Sequence, residues 1–412
     1  MSAPSIPNLF GTPSRGGGTQ GDRGGSSLSG LGLGLGRGRG RTRVRGGGGA
    51  GAGAGSSSGF GSTSAQAHDV TIQGTDTDAA VSRLSAVEVG YLEDPFARLF
   101  VQGPAGRRLP IINRGTYTRT TAINQIVDRF LAQTANSGGA DDDSIPQTRQ
   151  IVSLGAGTDT RSLRLFSSST PHSRIAYHEI DFPAITERKQ RIVRASPQLR
   201  SILSDPVSVP AEEGTETTWR SQARNNCELF CHGLDLRALA QQPDGQDSTT
   251  ATASSSSSPG VTLKGLRTDV PTLLISECCL CYLDPADASA VIRWFESRIP
   301  DLGVVIYEPV KPDDPFGRMM VSNLAARRIH MPTLDVYRLP ADQERRLAEA
   351  GFGQVRHMTI DKIWGRWVPH EEKARLDRLE GLDEVEEWGL LAGHYIVAWA
   401  WRSDKFQLPD GS

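Results

Sequence analysis

From residue 150 onward, short apolar runs alternate with stretches in which apolar side chains recur every third or fourth position. The runs 151–154, 175–180, 228–232, 272–278 and 304–307 are too short for core helices and read as strands. Two later runs, 354–359 and 395–401, read the same way. Between them, 184–194, 285–298, 316–329 and 342–350 carry the helical period, with Pro285 suited to a first turn. Upstream, 76–100 sets Ala79, Leu84, Val87 and Tyr91 near one face. The stretch 120–134 aligns Ile123, Ile126, Val127, Phe130 and Leu131, and a turn at 141–146 precedes the first strand. Such alternation predicts a mostly parallel, doubly wound sheet with helices on both faces. The last two strands leave no room for a long parallel crossover. The final strand is therefore expected to run antiparallel.

In sheets of this kind ligands sit beyond the carboxyl ends of the strands, where the order reverses. Strand one runs into Gly155 and Gly157, and Arg161-Ser162-Leu163 then reads as an opening helical turn. Two glycines one apart let a backbone approach a small ligand where a Cβ would block it. A dinucleotide site asks for a third glycine three positions later, and here that position is Thr160. About 24 residues after Gly157 the second strand ends on Asp181, placed to accept both ribose hydroxyls. This glycine pair plus the acid, without the third glycine, is the pattern of S-adenosylmethionine enzymes. A tight strand–helix turn, or an acid capping the helix after Phe182-Pro183, explains either motif alone. Both in register point to a nucleoside site. Asp235 and Leu236 after the third strand, and Glu277 at the end of the fourth, join the same cluster. Glu277 stands in an otherwise apolar strand, where a lone carboxylate is costly unless paired. A positive partner is expected there, such as the amine or sulfonium of the ligand.

Composition adds two appendages. Residues 1–66 are Gly/Ser-rich, with an arginine run from Arg37 to Arg45 and almost no large apolar side chains. They cannot bury enough surface to offset their ordering entropy and read as a disordered tail. A second low-complexity tract, about 241–260, contains consecutive serines from Ser254 to Ser258 and reads as an inserted surface loop. Roughly 320 residues remain for one α/β domain within 67–412, with an N-terminal helical cap over about 76–135. A net charge of −2 predicts neither nucleic-acid binding nor membrane attachment. No apolar run approaches the ~20 residues that span a bilayer. The five cysteines, odd in number and set in apolar runs, read as reduced thiols of a cytoplasmic, or also nuclear, protein. Cys227 and Cys231 on one strand face would lie about 13 Å apart, too far for one ion, so no metal site is expected.

The combination Leu154-Gly155-Ala156-Gly157-Thr158-Asp159-Thr160-Arg161, His178-Glu179-Ile180-Asp181-Phe182-Pro183, Asp235-Leu236-Arg237 and Ser276-Glu277-Cys278-Cys279-Leu280-Cys281-Tyr282 resembles the leucine carboxyl methyltransferases. The stretches 89–95, 113–119 and 307–317 are also similar to that family, and the motifs occur in order from about 76 to 401. The tail and the serine-rich insert depart from it. The resemblance implies a class I S-adenosylmethionine-dependent methyltransferase fold. That fold is Rossmann-like, with a seven-stranded sheet in the order 3-2-1-4-5-7-6, an antiparallel last strand and helical additions. The implied reaction is methyl transfer from S-adenosylmethionine to the α-carboxylate of the C-terminal leucine of the protein phosphatase 2A catalytic subunit, giving a methyl ester. A cofactor site of Arg83, Arg119, Gly155, Asp181, Asp235, Leu236 and Glu277 is implied too, with Tyr282 near the reacting centre. At position 83 a Lys would serve equally.

The chemistry of that reaction is consistent with the residues present. An α-carboxylate of pKa about 3.5 is already ionised at neutral pH, so no general base is required and none is assigned. Arginine supplies a planar fork for the methionine carboxylate. Alternatives are a small-molecule O-methyltransferase, or the relative that methylates a tRNA wybutosine precursor and carries a kelch-type repeat region. No repeat follows Glu277 here. An NAD(P)-dependent oxidoreductase would ask for glycine at position 160.

Overall fold

The computed structural model describes residues 60–132, 148–168, 174–209, 217–242, 261–383 and 385–403. Residues 1–59 of the expected tail, the turn at 141–146 and the serine-rich tract from 243 onward lie outside the described residues. The chain opens with α1 (Phe60–Val89), α2 (Pro110–Ala132), β1 (Arg149–Leu154) and α3 (Arg161–Ser167). It continues through β2 (Ile175–Asp181), α4 (Pro183–Ala195), α5 (Pro197–Arg200), β3 (Val207–Val209), β4 (Thr217–Gln222), β5 (Glu228–Gly233) and α6 (Arg237–Ala240). Next come β6 (Thr272–Glu277), α7 (Pro285–Glu296), β7 (Leu302–Pro309), α8 (Pro315–Ala326), α9 (Pro340–Glu349) and β8 (Gln354–Thr359). The short helices α10 (Ile360–Arg366), α11 (His370–Leu379) and α12 (Val385–Gly393) lead to β9 (Tyr395–Trp401).

All strands join one sheet in the order β3-β4-β5-β2-β1-β6-β7-β9-β8. From β5 to β8 this is the expected 3-2-1-4-5-7-6 arrangement: β5, β2, β1, β6 and β7 run parallel, and β9 lies antiparallel between β7 and β8. The seven-stranded expectation needs one correction. The sheet described has nine strands, because β3 and β4 extend it antiparallel beyond β5. The inner strands are buried along their whole length, and alternate residues face opposite layers. Ile151, Tyr177, Ile275, Val305 and Trp399 pack with Ile126, Phe130 and Leu391 on one side. Val152, Ile180, Leu274, Val304 and Ala398 pack with Val291, Phe295 and Leu347 on the other.

Two helices have boundaries that differ from the sequence reading. Helix α1 begins at Phe60, inside the segment assigned to the tail, and ends at Val89 rather than at 100. The stop is a glycine one: Gly90 takes φ +99°, its N–H bonds to Val87 at 3.0 Å, and the Tyr91 N–H bonds to Ala86 at 2.8 Å. Helix α2 starts ten positions before the expected 120, at Pro110. Its first half is hidden to a hydrophobic-period search because Asn113, Arg114, Thr116 and Thr118 are buried there together with Ile111 and Ile112. Asn113 donates to Glu380 at 2.9 Å, and the Arg114 guanidinium lies 4.7 Å over the Trp364 ring. The cap thus packs onto α10 and α11, which the sequence reading did not mark.

Candidate functional site

The carboxyl ends of β1, β2, β5 and β6 open into a cavity of about 920 Å³, within the usual range for ligand sites. Arg83, Arg119, Gly155, Asp181, Asp235, Leu236, Glu277 and Tyr282 all line it. Every sequence-predicted site residue is therefore brought to one place.

The floor is the turn after β1. Gly155 and Gly157 adopt φ +58° and +53°, a left-handed backbone that favours glycine. A Cβ at Gly155 would stand 2.5 Å from Cys279 Sγ, and one at Gly157 would stand 2.4 Å from Asp76 Oδ1. The glycines are thus required by the backbone conformation and by neighbouring protein atoms. Asp181 accepts from the Gly157 N–H on Oδ2 and from the Phe182 N–H on Oδ1, both at 2.7 Å. Burial pushes its carboxyl up to about 6 in spite of those donors. Each oxygen keeps capacity for a further donor. Thr160, where a dinucleotide site would carry glycine, is buried, and its hydroxyl donates to Asp94 at 2.5 Å. A side chain at this position is built into the packing.

A charged cluster forms the next wall. Glu277 pairs with Arg119 through Nε at 2.9 Å and with Arg161 through Nη2 at 3.1 Å. The partner expected from a ligand is therefore present within the chain as two guanidinium groups. Arg119 also lies 5.4 Å over the Tyr307 ring. Burial works against its charge, but the Glu277 carboxylate together with Tyr307 and Cys278 outweighs it and pushes the Arg119 pKa up. Asp159 accepts from Arg161 at 2.5 Å and pairs with Arg83 at 3.6 Å. Burial would raise its pKa, yet the Arg161, Arg83 and Arg164 guanidiniums hold the carboxyl well below its usual range. Arg83 further donates to the Thr158 carbonyl at 2.7 Å, which fixes it against the glycine turn.

The sequence reading missed the acids of α1 and their partners. Asp76 accepts from the Thr158 N–H at 2.7 Å and the Thr158 hydroxyl at 2.8 Å, and pairs with Arg188. Asp69 pairs with Arg237 Nη2 at 2.6 Å, and Arg237 holds Asp235 through that same nitrogen and through Nε. Asp78 pairs with Arg327 of the segment after α8 and with Arg108 at 3.6 Å. Helix α1 is a strap laid across the cavity and tied at each side by opposite charge. The available signal was the Asp69, Asp76, Asp78 series itself, on residues that carry no apolar period. Tyr282 sits on a short 3-10 turn, Leu280–Tyr282, after the left-handed Cys278 at φ +50°. Among the described residues no cluster of His, Cys, Asp and Glu is arranged to hold a metal ion.

A sequence profile described as leucine carboxyl methyltransferase matches residues 71–296. The leucine carboxyl methyltransferase 1 of Emericella nidulans is 47% identical over 350 residues, covering 82% of this chain and 87% of that one. The protein of that name from Aspergillus fumigatus is also 47% identical, over 355 residues, covering 82% of this chain and 84% of its own. A human tRNA wybutosine-synthesizing protein 4 is 33% identical over 335 residues, which is 81% of this chain but 44% of that protein.

Proposed function

The chain belongs to the leucine carboxyl methyltransferase family, and from that premise we propose the donor, the acceptor and the residue roles of its reaction. It is an enzyme, a methyltransferase acting on a leucine carboxyl group. The proposed donor is S-adenosylmethionine, which supplies an electrophilic methyl group. The proposed acceptor is the C-terminal leucine of the protein phosphatase 2A catalytic subunit, in the cytoplasm.

One observation carries the reading: a glycine turn, a strand-end acid, an Asp-Leu pair and an Arg–Glu cluster converge on a single cavity. Asp181 offers acceptors for ribose hydroxyls beside the left-handed glycine turn. Asp235 and Leu236 close the side where an adenine would lie. Arg119 and Arg83 supply cations for an amino-acid carboxylate, and Glu277 an anion for its amine. The acceptor carboxylate is ionised at neutral pH, so the chain needs to orient and desolvate it, not to deprotonate it. The buried Tyr282 stands at the wall where that approach would end.

The test is methyl transfer from labelled S-adenosylmethionine to two acceptors, the purified phosphatase catalytic subunit and hypomodified tRNA. Label on the protein alone supports the reading. Label on the tRNA alone would transfer the assignment to the other relative.

A further inference from the structure

The pair Glu308–Arg346 lies outside the cavity, and no step described above uses it. Both side chains are 1% exposed, with Arg346 Nη1 donating to Glu308 Oε2 at 3.0 Å. Gln343 donates to the same oxygen at 3.1 Å, and the Thr333 hydroxyl stands at 3.5 Å. Arg346 lies 4.5 Å over the Tyr337 ring, and the Tyr337 hydroxyl meets Ser289 of α7 at 2.9 Å. Beyond it, the Lys311 N–H bonds to the Arg338 carbonyl at 2.6 Å. One segment, 330–338, is thereby fastened to β7, α7 and α9. That segment contributes His330, Pro332, Asp335 and Val336 to the cavity wall.

Stability alone does not account for the arrangement. A buried ion pair is commonly replaced by apolar side chains with little loss. This one leaves Glu308 Oε1 and Arg346 Nε and Nη2 without a hydrogen-bond partner in the structure, which weakens its net contribution further. What it gives that apolar packing does not is direction, because a carboxylate accepting from three groups fixes where they sit. Its place in the sheet indicates which half of the cavity depends on it. The ends of β1, β2 and β5 carry Gly155, Asp181 and Asp235, whereas β7 lies beyond β6 on the other side of β1. If the nucleoside half covers β1, β2 and β5, the segment tied to Glu308 borders the half left for the acceptor.

We propose that Glu308 and Arg346 are positioning residues for the acceptor: they hold segment 330–338 as the wall that orients the leucine terminus against Tyr282. This rests on the donor and acceptor assignment above. Two variants test it. Glu308→Leu with Arg346→Met removes both charges together, so neither is left buried and alone. Thr333→Val with Tyr337→Phe loosens the segment while leaving the ion pair in place. The expected result for either folded variant is an acceptor KM raised about tenfold, since small misplacements cost that much or more. Affinity for S-adenosylmethionine by calorimetry and kcat at saturating acceptor should stay within about twofold, a small energy on the scale of tenfold per 1.4 kcal/mol. If Thr333→Val with Tyr337→Phe keeps a normal acceptor KM, the proposal fails even should the charge-free variant not fold. A parallel loss of cofactor affinity and acceptor KM would also overturn it, as general damage to the fold. Failure of the underlying assignment looks different, because the unmodified enzyme would then bind no S-adenosylmethionine or methylate no phosphatase.

Discussion

Asp181 reaches the cavity with one backbone amide already on each oxygen and its carboxyl at about 6, above the ordinary 3.8. Since the folded pKa is raised, the folded chain keeps a proton that the unfolded chain has released between those values. Its contribution to stability is present below about pH 4 and lost as the pH rises through about 6. Ligand binding runs the other way, because ribose hydroxyls donate best to the ionised form. Affinity for S-adenosylmethionine should therefore fall as the pH drops through about 6, and Asp181→Asn should flatten that profile. At neutral pH, Asp181→Ala should cost about 1.5–3 kcal/mol, tenfold or more in Kd. Calorimetry across this range checks both; unchanged affinity in the alanine variant would remove the ribose from Asp181. Gly155, Asp181, Asp235 and Glu277 were legible in sequence because strand ends followed by turn chemistry mark where a doubly wound sheet binds. Arg161 and Asp159 were not, although they stand in the same motif. Asp159 pairs with Arg161 and Arg161 with Glu277, and pairing across 116 residues leaves no local pattern.

At the scale of the element, α1 acts as a strap whose ties are ion pairs: Asp69–Arg237, Asp76–Arg188, Asp78–Arg327 and Arg83–Asp159. These side chains are between 11% and 31% exposed, enough for salt to weaken them. Raising the ionic strength from about 0.05 to 0.5 M should speed dissociation of S-adenosylmethionine, measured by stopped-flow fluorescence. Asp76→Asn should raise the rate at low salt and blunt the salt effect. A dissociation rate indifferent to both changes would mean that the strap does not gate the site. Strands and helices with an apolar period were readable, and those stabilised by polar contacts were not. The hairpin β3–β4 buries Thr218, Trp219 and Ser221 on its longer strand, too little apolar character to announce a strand. Helix α2 was half visible for the corresponding reason: its early buried side chains are polar and find partners far along the chain.

For the molecule as a whole, the parallel sheet and its antiparallel last strand followed from alternation and crossover length, the strand order from the family resemblance, and the additional edge from neither. Beneath the site, Lys189 is 1% exposed, bridging Glu179 at 2.6 Å and the Asp159 carbonyl at 2.7 Å. Removing one side of such a pair leaves a buried charge alone. Lys189→Ala should therefore cost about 3–5 kcal/mol in urea unfolding, while Lys189→Met with Glu179→Leu should recover most of it. A single variant of wild-type stability would contradict this account of the lower core. The central claim concerns what the assembled cavity does. The most direct measurement supplies tritiated S-adenosylmethionine and the phosphatase catalytic subunit in three forms: intact, lacking its terminal leucine, and amidated at that leucine. The expected result is one methyl per intact subunit, released by mild base as an ester must be, and none on the other two. Base-stable label, or label persisting without a free leucine carboxylate, would contradict it.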